Sequence, residues 1–124
     1  MYHLILVMAG GALGSAARFL VGRATLARFG PNFPYGTLTV NIVGGLAMGV
    51  LVGILARHSA SESWRLLLGV GVLGGFTTFS SFSLDVVSLI ERGDLVTALG
   101  YTLASVVGAI VAVFLGLSLT RVAA

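Results

Sequence analysis

The sequence predicts an all-α membrane protein: one domain over residues 1–124 with four transmembrane helices, the third of them broken. Three observations carry that reading. Apolar residue types make up 57% of the chain and charged ones 9%, with a mean hydropathy of +1.08. A water-facing surface normally needs roughly 25% charged residues. Uncharged stretches recur four times, each near the roughly 20 residues that cross a bilayer. The third stretch holds adjacent glycines and then two threonines, Gly74-Gly75-Phe76-Thr77-Thr78, a poor helix former in mid-crossing.

The same composition excludes other classes. A soluble enzyme and a disordered tail both need more charge. A nucleic-acid partner is excluded because the seven basic residues, all arginine, are scattered rather than gathered into a patch. His3 and His58 sit at membrane edges, and no nucleophile–base pair is apparent, so the chain reads as no enzyme. Cysteine is absent, which removes disulfides and thiolate metal sites.

The first span covers about residues 2–22. It lacks a basic leading region and three more spans follow, so it does not read as a cleaved signal. Arg18 follows a long uncharged run; it either snorkels to the interface or faces inward as a fixed positive charge that attracts an anion. Asp85 is the one acid within a span that could neutralise it. The first connection is expected over Arg23–Tyr35, and Arg28–Gly36 reads as a structured turn, because Pro31 and Pro34 forbid a helix through it. The second span, about 36–56, carries the ladder Asn41, Gly45, Gly49, Gly53. Residues four apart share a helix face, and small ones let another helix come close. Asn41 is therefore expected as a hydrogen-bonded peg in a helix contact, or as a pore amide.

The third span, about 66–90, is longer than one straight crossing needs. Both its length and its Gly-Gly-Phe-Thr-Thr stretch predict a break near Gly74–Thr78. Broken backbone survives at membrane depth only where it is buried in protein or lines a cavity, and the carbonyls it frees suit a hard cation. Phe79 and Phe82, three apart, share a face; their ring edges are positive and can meet an anion without trapping it. The fourth span, about 95–120, carries the packing ladder Gly100, Ala104, Gly108, Ala112, Gly116, with Tyr101 and Ser105 beside it. The expected fate of Ser105 is a bond to its own helix backbone.

Cytoplasmic flanks normally hold the excess of basic residues. Here one side holds Arg57, Arg65 and Arg121, and the other Arg23, Arg28 and Arg92, with Arg18 a possible fourth. So small a bias predicts insertion in both orientations, and with it an antiparallel, dual-topology homodimer surrounded by membrane lipid.

Three motifs in order, Gly10-Gly-Ala-Leu-Gly-Ser-Ala-Ala-Arg18-Phe, Gly36-Thr-Leu-Thr-Val-Asn41-Ile-Val-Gly44 and Gly74-Gly-Phe-Thr-Thr-Phe-Ser-Ser-Phe82, resemble the Fluc (CrcB-type) fluoride channel family over nearly the whole chain. The resemblance implies a fluoride-selective channel of the bacterial inner membrane that passively exports fluoride and lowers its toxicity. It implies an antiparallel dimer with two pores and a central structural sodium ion. By motif, Asn41, Phe79 and Phe82 would line the pore, Ser80, Ser81 and Tyr101 would belong to its polar track, and Arg18 would stand near a vestibule. The carbonyls of Gly74 and Thr77 would hold the sodium. One chain offers only two such oxygens; a two-fold axis makes four, all neutral, which suits a monovalent ion. Asp85 departs from the Glu common in the family, and Ser81 from a common Thr. Two other readings are a small dual-topology multidrug transporter and a non-transporting packing subunit. The first needs an acid in the first span, which has Arg18 instead. The second leaves the hydroxyls of Thr77–Ser83 unexplained.

Overall fold

The structure is a computed structural model and describes residues 1–59 and 61–122. Five helices follow in order: α1 (Tyr2–Phe29), α2 (Tyr35–Arg57), α3 (62–76), α4 (Phe79–Glu91) and α5 (Leu95–Val122). α3 and α4 together make the third of four crossings long and apolar enough to span a membrane, so this is a multi-pass membrane protein.

α1 outruns its expected end at residue 22 and takes in Arg23 and Arg28. Charge marks where lipid ends, not where a helix must end. The stop is Gly30, whose φ of 79° is open to glycine and whose N–H bonds the Leu26 carbonyl at 2.9 Å, immediately before Pro31. The connection is thus shorter than Arg23–Tyr35. The α4–α5 turn closes as a Schellman motif. Gly93, also at φ 79°, donates to Ile90 O at 2.9 Å and Asp94 N–H donates to Leu89 O at 3.0 Å. Asp94 then caps α5, its Oδ1 accepting from Thr97 N–H at 3.2 Å.

Helices that are apolar all round gain nothing from hiding one face in lipid, so close approach decides the packing. The two most extensive pairings are α2 with α5 and α1 with α3. A Cβ at Gly49 would stand 3.0 Å from the Gly116 Cα and collide with Val113 O, and the Gly53 position abuts Thr120. The expected ladder on α2 is therefore packing below Asn41. On α5 it serves from Gly108 onward, whereas Gly100 faces open space. Arg57 at the end of α2 donates to the Thr120 carbonyl. α1 packs on α3 in the same close fashion. The small buried core lies between α4 and α5, where Phe82, Leu89, Ala98 and Tyr101 meet, with Phe33, Leu38 and Val86 against them. Large apolar side chains such as Leu13, Phe19, Val107 and Phe114 are exposed on the outside, where lipid or another subunit must cover them.

The third crossing is broken within the expected Gly74–Thr78 stretch, at its threonines rather than its glycines. Residues Arg65–Leu73 are π-helical, Gly74–Phe76 are α-helical, and the chain leaves the helix at Thr77 (φ −89°, ψ 158°) and Thr78 (φ −152°, ψ 121°). The glycines instead let the helices touch: a Cβ at Gly75 would lie 2.6 Å from Gly11 O.

Candidate ion pathway

The break at Thr77–Thr78 is held by side chains from three helices. Thr77 N–H and its hydroxyl both donate to Leu73 O, at 3.0 and 2.9 Å, which finishes α3. Thr78 starts α4 as its N-cap, Oγ1 accepting from Ser81 N–H at 3.1 Å. From α2, Asn41 meets both polar groups of the Thr78 backbone. Its Oδ1 accepts from Thr78 N–H at 2.7 Å and its Nδ2 donates to Thr78 O at 2.9 Å. From α1, Arg18 Nε donates to Gly75 O at 3.0 Å.

These bonds decide which carbonyls stay free. In an unbroken helix Gly74 O would accept from Thr78 N–H and Thr77 O from Ser81 N–H. Both donors are turned elsewhere, to Asn41 Oδ1 and to Thr78 Oγ1. The break therefore withdraws the usual partners from the two carbonyls named by the sequence motif, and Gly74 lies exposed on the protomer surface.

A groove of about 420 Å³ lies on one side of the break. Asn41, Thr78, Phe79, Phe82 and Ser105 give it polar groups and aromatic rings, and Met48, Val106, Ala109, Ile110 and Val113 supply apolar walls. The rings of Phe79 and Phe82 are 5.5 Å apart and tilted by 50°. Phe82 is buried against Tyr101, at 5.4 Å, while Phe79 is 77% exposed. Though three apart on α4, the two rings thus differ in burial: one is anchored in the core and one projects from the protomer.

A second recess of about 450 Å³ lies across Thr78, lined by Ser15, Arg18, Thr37, Thr78 and Ser81 among others. The expected site residues thus divide. Asn41, Phe79 and Phe82 share the groove; Arg18 and Ser81 share the second recess; Thr78 borders both. Ser80 is exposed, with Oγ 3.3 Å from Thr78 Oγ1. Tyr101 is 1% exposed and stands behind Phe82, its hydroxyl donating to Asp85 Oδ2 at 2.9 Å. Asp85 is thereby the partner of Tyr101 and not of Arg18, whose recorded bond is to a carbonyl. A third recess, of about 430 Å³, holds Asp85 with Thr37, Ser88 and Arg92 under the Pro31–Pro34 turn.

Two residues matter more than the sequence indicated. Thr78 organises the break, and its signal was the run Thr78-Phe-Ser-Ser, a capping residue followed by a new helix. Ser105 was expected to bond its own backbone, as Thr102 does to Ala98 O at 2.8 Å. Instead its Oγ is buried with no partner among the described residues, and it borders the groove one turn from Tyr101. A buried hydroxyl without a partner costs about 1–3 kcal/mol.

The family model described as CrcB-like protein, camphor resistance (CrcB), matches residues 5–117. A fluoride-specific ion channel FluC from Sphingopyxis alaskensis is 59% identical over 122 residues, 98% of this chain and 97% of the relative. Its namesake in Agrobacterium fabrum is 57% identical over 122 residues, covering 98% of each chain. That of Mesorhizobium japonicum is 52% identical over 121 residues, again 98% of each. With the family model matched along most of its length and such relatives covering nearly all of it, this chain belongs to the CrcB-like family.

Proposed function

We propose that the chain is a fluoride-selective channel that lets fluoride leave the cytoplasm passively and so lowers its toxicity. The observation that carries this reading is the lining of the groove: an amide, hydroxyls and aromatic rings, with no ionisable side chain among its described residues. Fluoride is small and strongly hydrated. A pore must replace its water with donors, yet release it quickly. Neutral donors and ring edges meet both needs, whereas a buried arginine would hold the ion. The unpartnered Ser105 hydroxyl adds a donor at the right place. The names of the relatives, fluoride-specific ion channels, support the same substrate.

The working unit in this reading is an antiparallel homodimer in the bacterial inner membrane. Phe79, 77% exposed in the protomer, then finds its cover against the partner or the ion. Gly74 and Thr77 supply neutral carbonyl oxygens whose usual donors are diverted, and a sodium ion shared by two copies fits that donor set. When bound, it supplies positive charge on the dimer axis and ties the subunits together. Asn41 and Thr78 keep the carbonyls aimed, and the rings guard the pathway.

Fluoride efflux from liposomes holding the purified protein, compared with chloride, tests the reading. Fast fluoride release with chloride retained is expected; equal release of both ions, or of neither, overturns it. Exchanging sodium for a large organic cation is expected to loosen the dimer or stop the flux.

A further inference from the structure

We propose that Arg18 is a positioning residue for the broken helix: its Nε–H holds the Gly75 carbonyl toward α1 and so fixes the aim of the carbonyls left over at the break. The last step rests on the reading of Gly74 and Thr77 as cation ligands; the clamp itself does not.

The bond arises from a vacancy that the backbone creates. Gly75 O would accept from Phe79 N–H in a continuous helix. The extended residues Thr77 and Thr78 carry Phe79 into the start of α4 instead, so the carbonyl is orphaned at the end of α3. An orphaned carbonyl at membrane depth is costly. A cation at a helix C-terminus is favoured by the helix dipole as well. Arg18 Nε fills the role at 3.0 Å.

The reach is short, because Nε stands only three carbons beyond the backbone. It succeeds because Gly10, Gly14 and Arg18 are successive four-residue steps along one face of α1. A Cβ at Gly10 would lie 2.9 Å from the Gly71 Cα, and one at Gly14 would lie 2.9 Å from Phe76 N. Two glycines thus press α1 onto α3, and the third step delivers the guanidinium to the break. A snorkelling arginine would stretch toward water; this one is tied back by its innermost nitrogen.

The clamp completes a division of the break's polar groups. Gly75 O goes to Arg18, and Thr78 N–H and C=O go to Asn41. Gly74 O, Phe76 O and Thr77 O are left without their helical donors. Without Arg18, Gly75 O joins the unsatisfied set, and the end of α3 must turn to relieve it. The same guanidinium borders the recess of Ser15, Thr37 and Ser81, so one charge touches both the break and that recess.

Two substitutions separate the clamp from the charge. Arg18→Gln keeps an N–H at the same atom position and removes the charge. Arg18→Met keeps the length and removes both. Two quantities are read: amide hydrogen exchange across residues 76–82, and the sodium concentration for half-maximal fluoride flux in liposomes. Arg18→Gln is expected to match the parent in both, even if its flux is lower. Arg18→Met is expected to exchange faster and to need more sodium, each by about threefold to tenfold, the factor for one ordinary hydrogen bond. Unchanged exchange in Arg18→Met overturns the clamp. So does failure of Arg18→Gln alongside Arg18→Met, since that assigns the effect to charge. If Arg18→Met does not fold, Arg18→Gln alone decides, since parental exchange is required of it. A parent whose flux ignores sodium removes the cation reading, and hydrogen exchange then judges the clamp by itself.

Discussion

Asn41 carries one residue's worth of two functions. Its amide borders the groove, and both its polar atoms are bonded to the Thr78 backbone. Asn41→Ala leaves a donor and an acceptor of Thr78 without partners, at about 1–3 kcal/mol each, so thermal unfolding in detergent should show a clear loss of stability. Asn41→Asp keeps the acceptor for Thr78 N–H but sets a carboxylate oxygen against Thr78 O and negative charge beside the groove. Fluoride flux is expected to vanish even where the dimer survives; retained flux would leave Asn41 as packing alone. Ser105 separates the same two functions from the other side. Because its hydroxyl is unpartnered, Ser105→Ala should cost no stability, yet lower fluoride flux by removing a donor. Phe79→Ile keeps bulk but removes the ring's positive edge. Since Phe79 is exposed, the protomer should fold as before while flux falls, and undiminished flux would move the pathway elsewhere. Much of this was legible in the chain, since a lone amide and a ring pair inside apolar spans announce themselves. What a chain read in one dimension could not say is that Asn41 and Thr78, 37 residues apart, would meet. Nor could it say that the Ser105 hydroxyl would be buried without a partner among the described residues.

At the scale of elements, the glycines of the third crossing show why composition located the break only approximately. The break was expected within Gly74–Thr78 because paired glycines and β-branched threonines are both weak helix formers. In lipid, however, the backbone has no other way to satisfy itself, and propensity gives way to hydrogen bonding. The helix persists through both glycines and ends where Asn41 and the Thr78 cap offer the backbone substitutes. The extension of α1 to Phe29 has a related cause, since hydropathy reports the lipid boundary and only Gly30 and Pro31 report the helix end. Asp94, outside the spans, gives a pH test. The Thr97 side chain, and then the Thr97 N–H, hold its carboxyl below the usual range. A lowered folded value means that the stabilisation is present above the ordinary Asp pKa of about 3.9 and is lost as pH falls through the folded value. Unfolding temperature should therefore drop on acidification across that window in the parent and less in Asp94→Asn, which keeps an acceptor oxygen but does not titrate. An equal drop in both would remove Asp94 as the source.

For the whole molecule, the arginine count becomes sharper once Arg18 is located. It is bonded to Gly75 beside the break, in the middle of the third crossing, and so does not belong to either flank. That leaves Arg57, Arg65 and Arg121 on one side and Arg23, Arg28 and Arg92 on the other, a bias of zero. Orientation follows basic residues near the ends of spans, and this count favours neither direction. The absence of cysteine makes the test clean. Ser61 is exposed in the turn between α2 and α3, and Ser61→Cys should be labelled from outside in about half the chains. Labelling of all chains or none would end the dual-topology reading. The proposed dimer can be tested through the same count. If two oppositely inserted copies must meet to complete the carbonyl set at Gly74 and Thr77, forcing one direction should abolish function without unfolding the protomer. Two lysines added between α2 and α3 should bias insertion one way and two added between α4 and α5 the other. Each variant alone is expected to lose fluoride flux. Expressed together they supply both orientations again, and flux should return. Full flux from either variant alone would mean that parallel copies, or single chains, suffice.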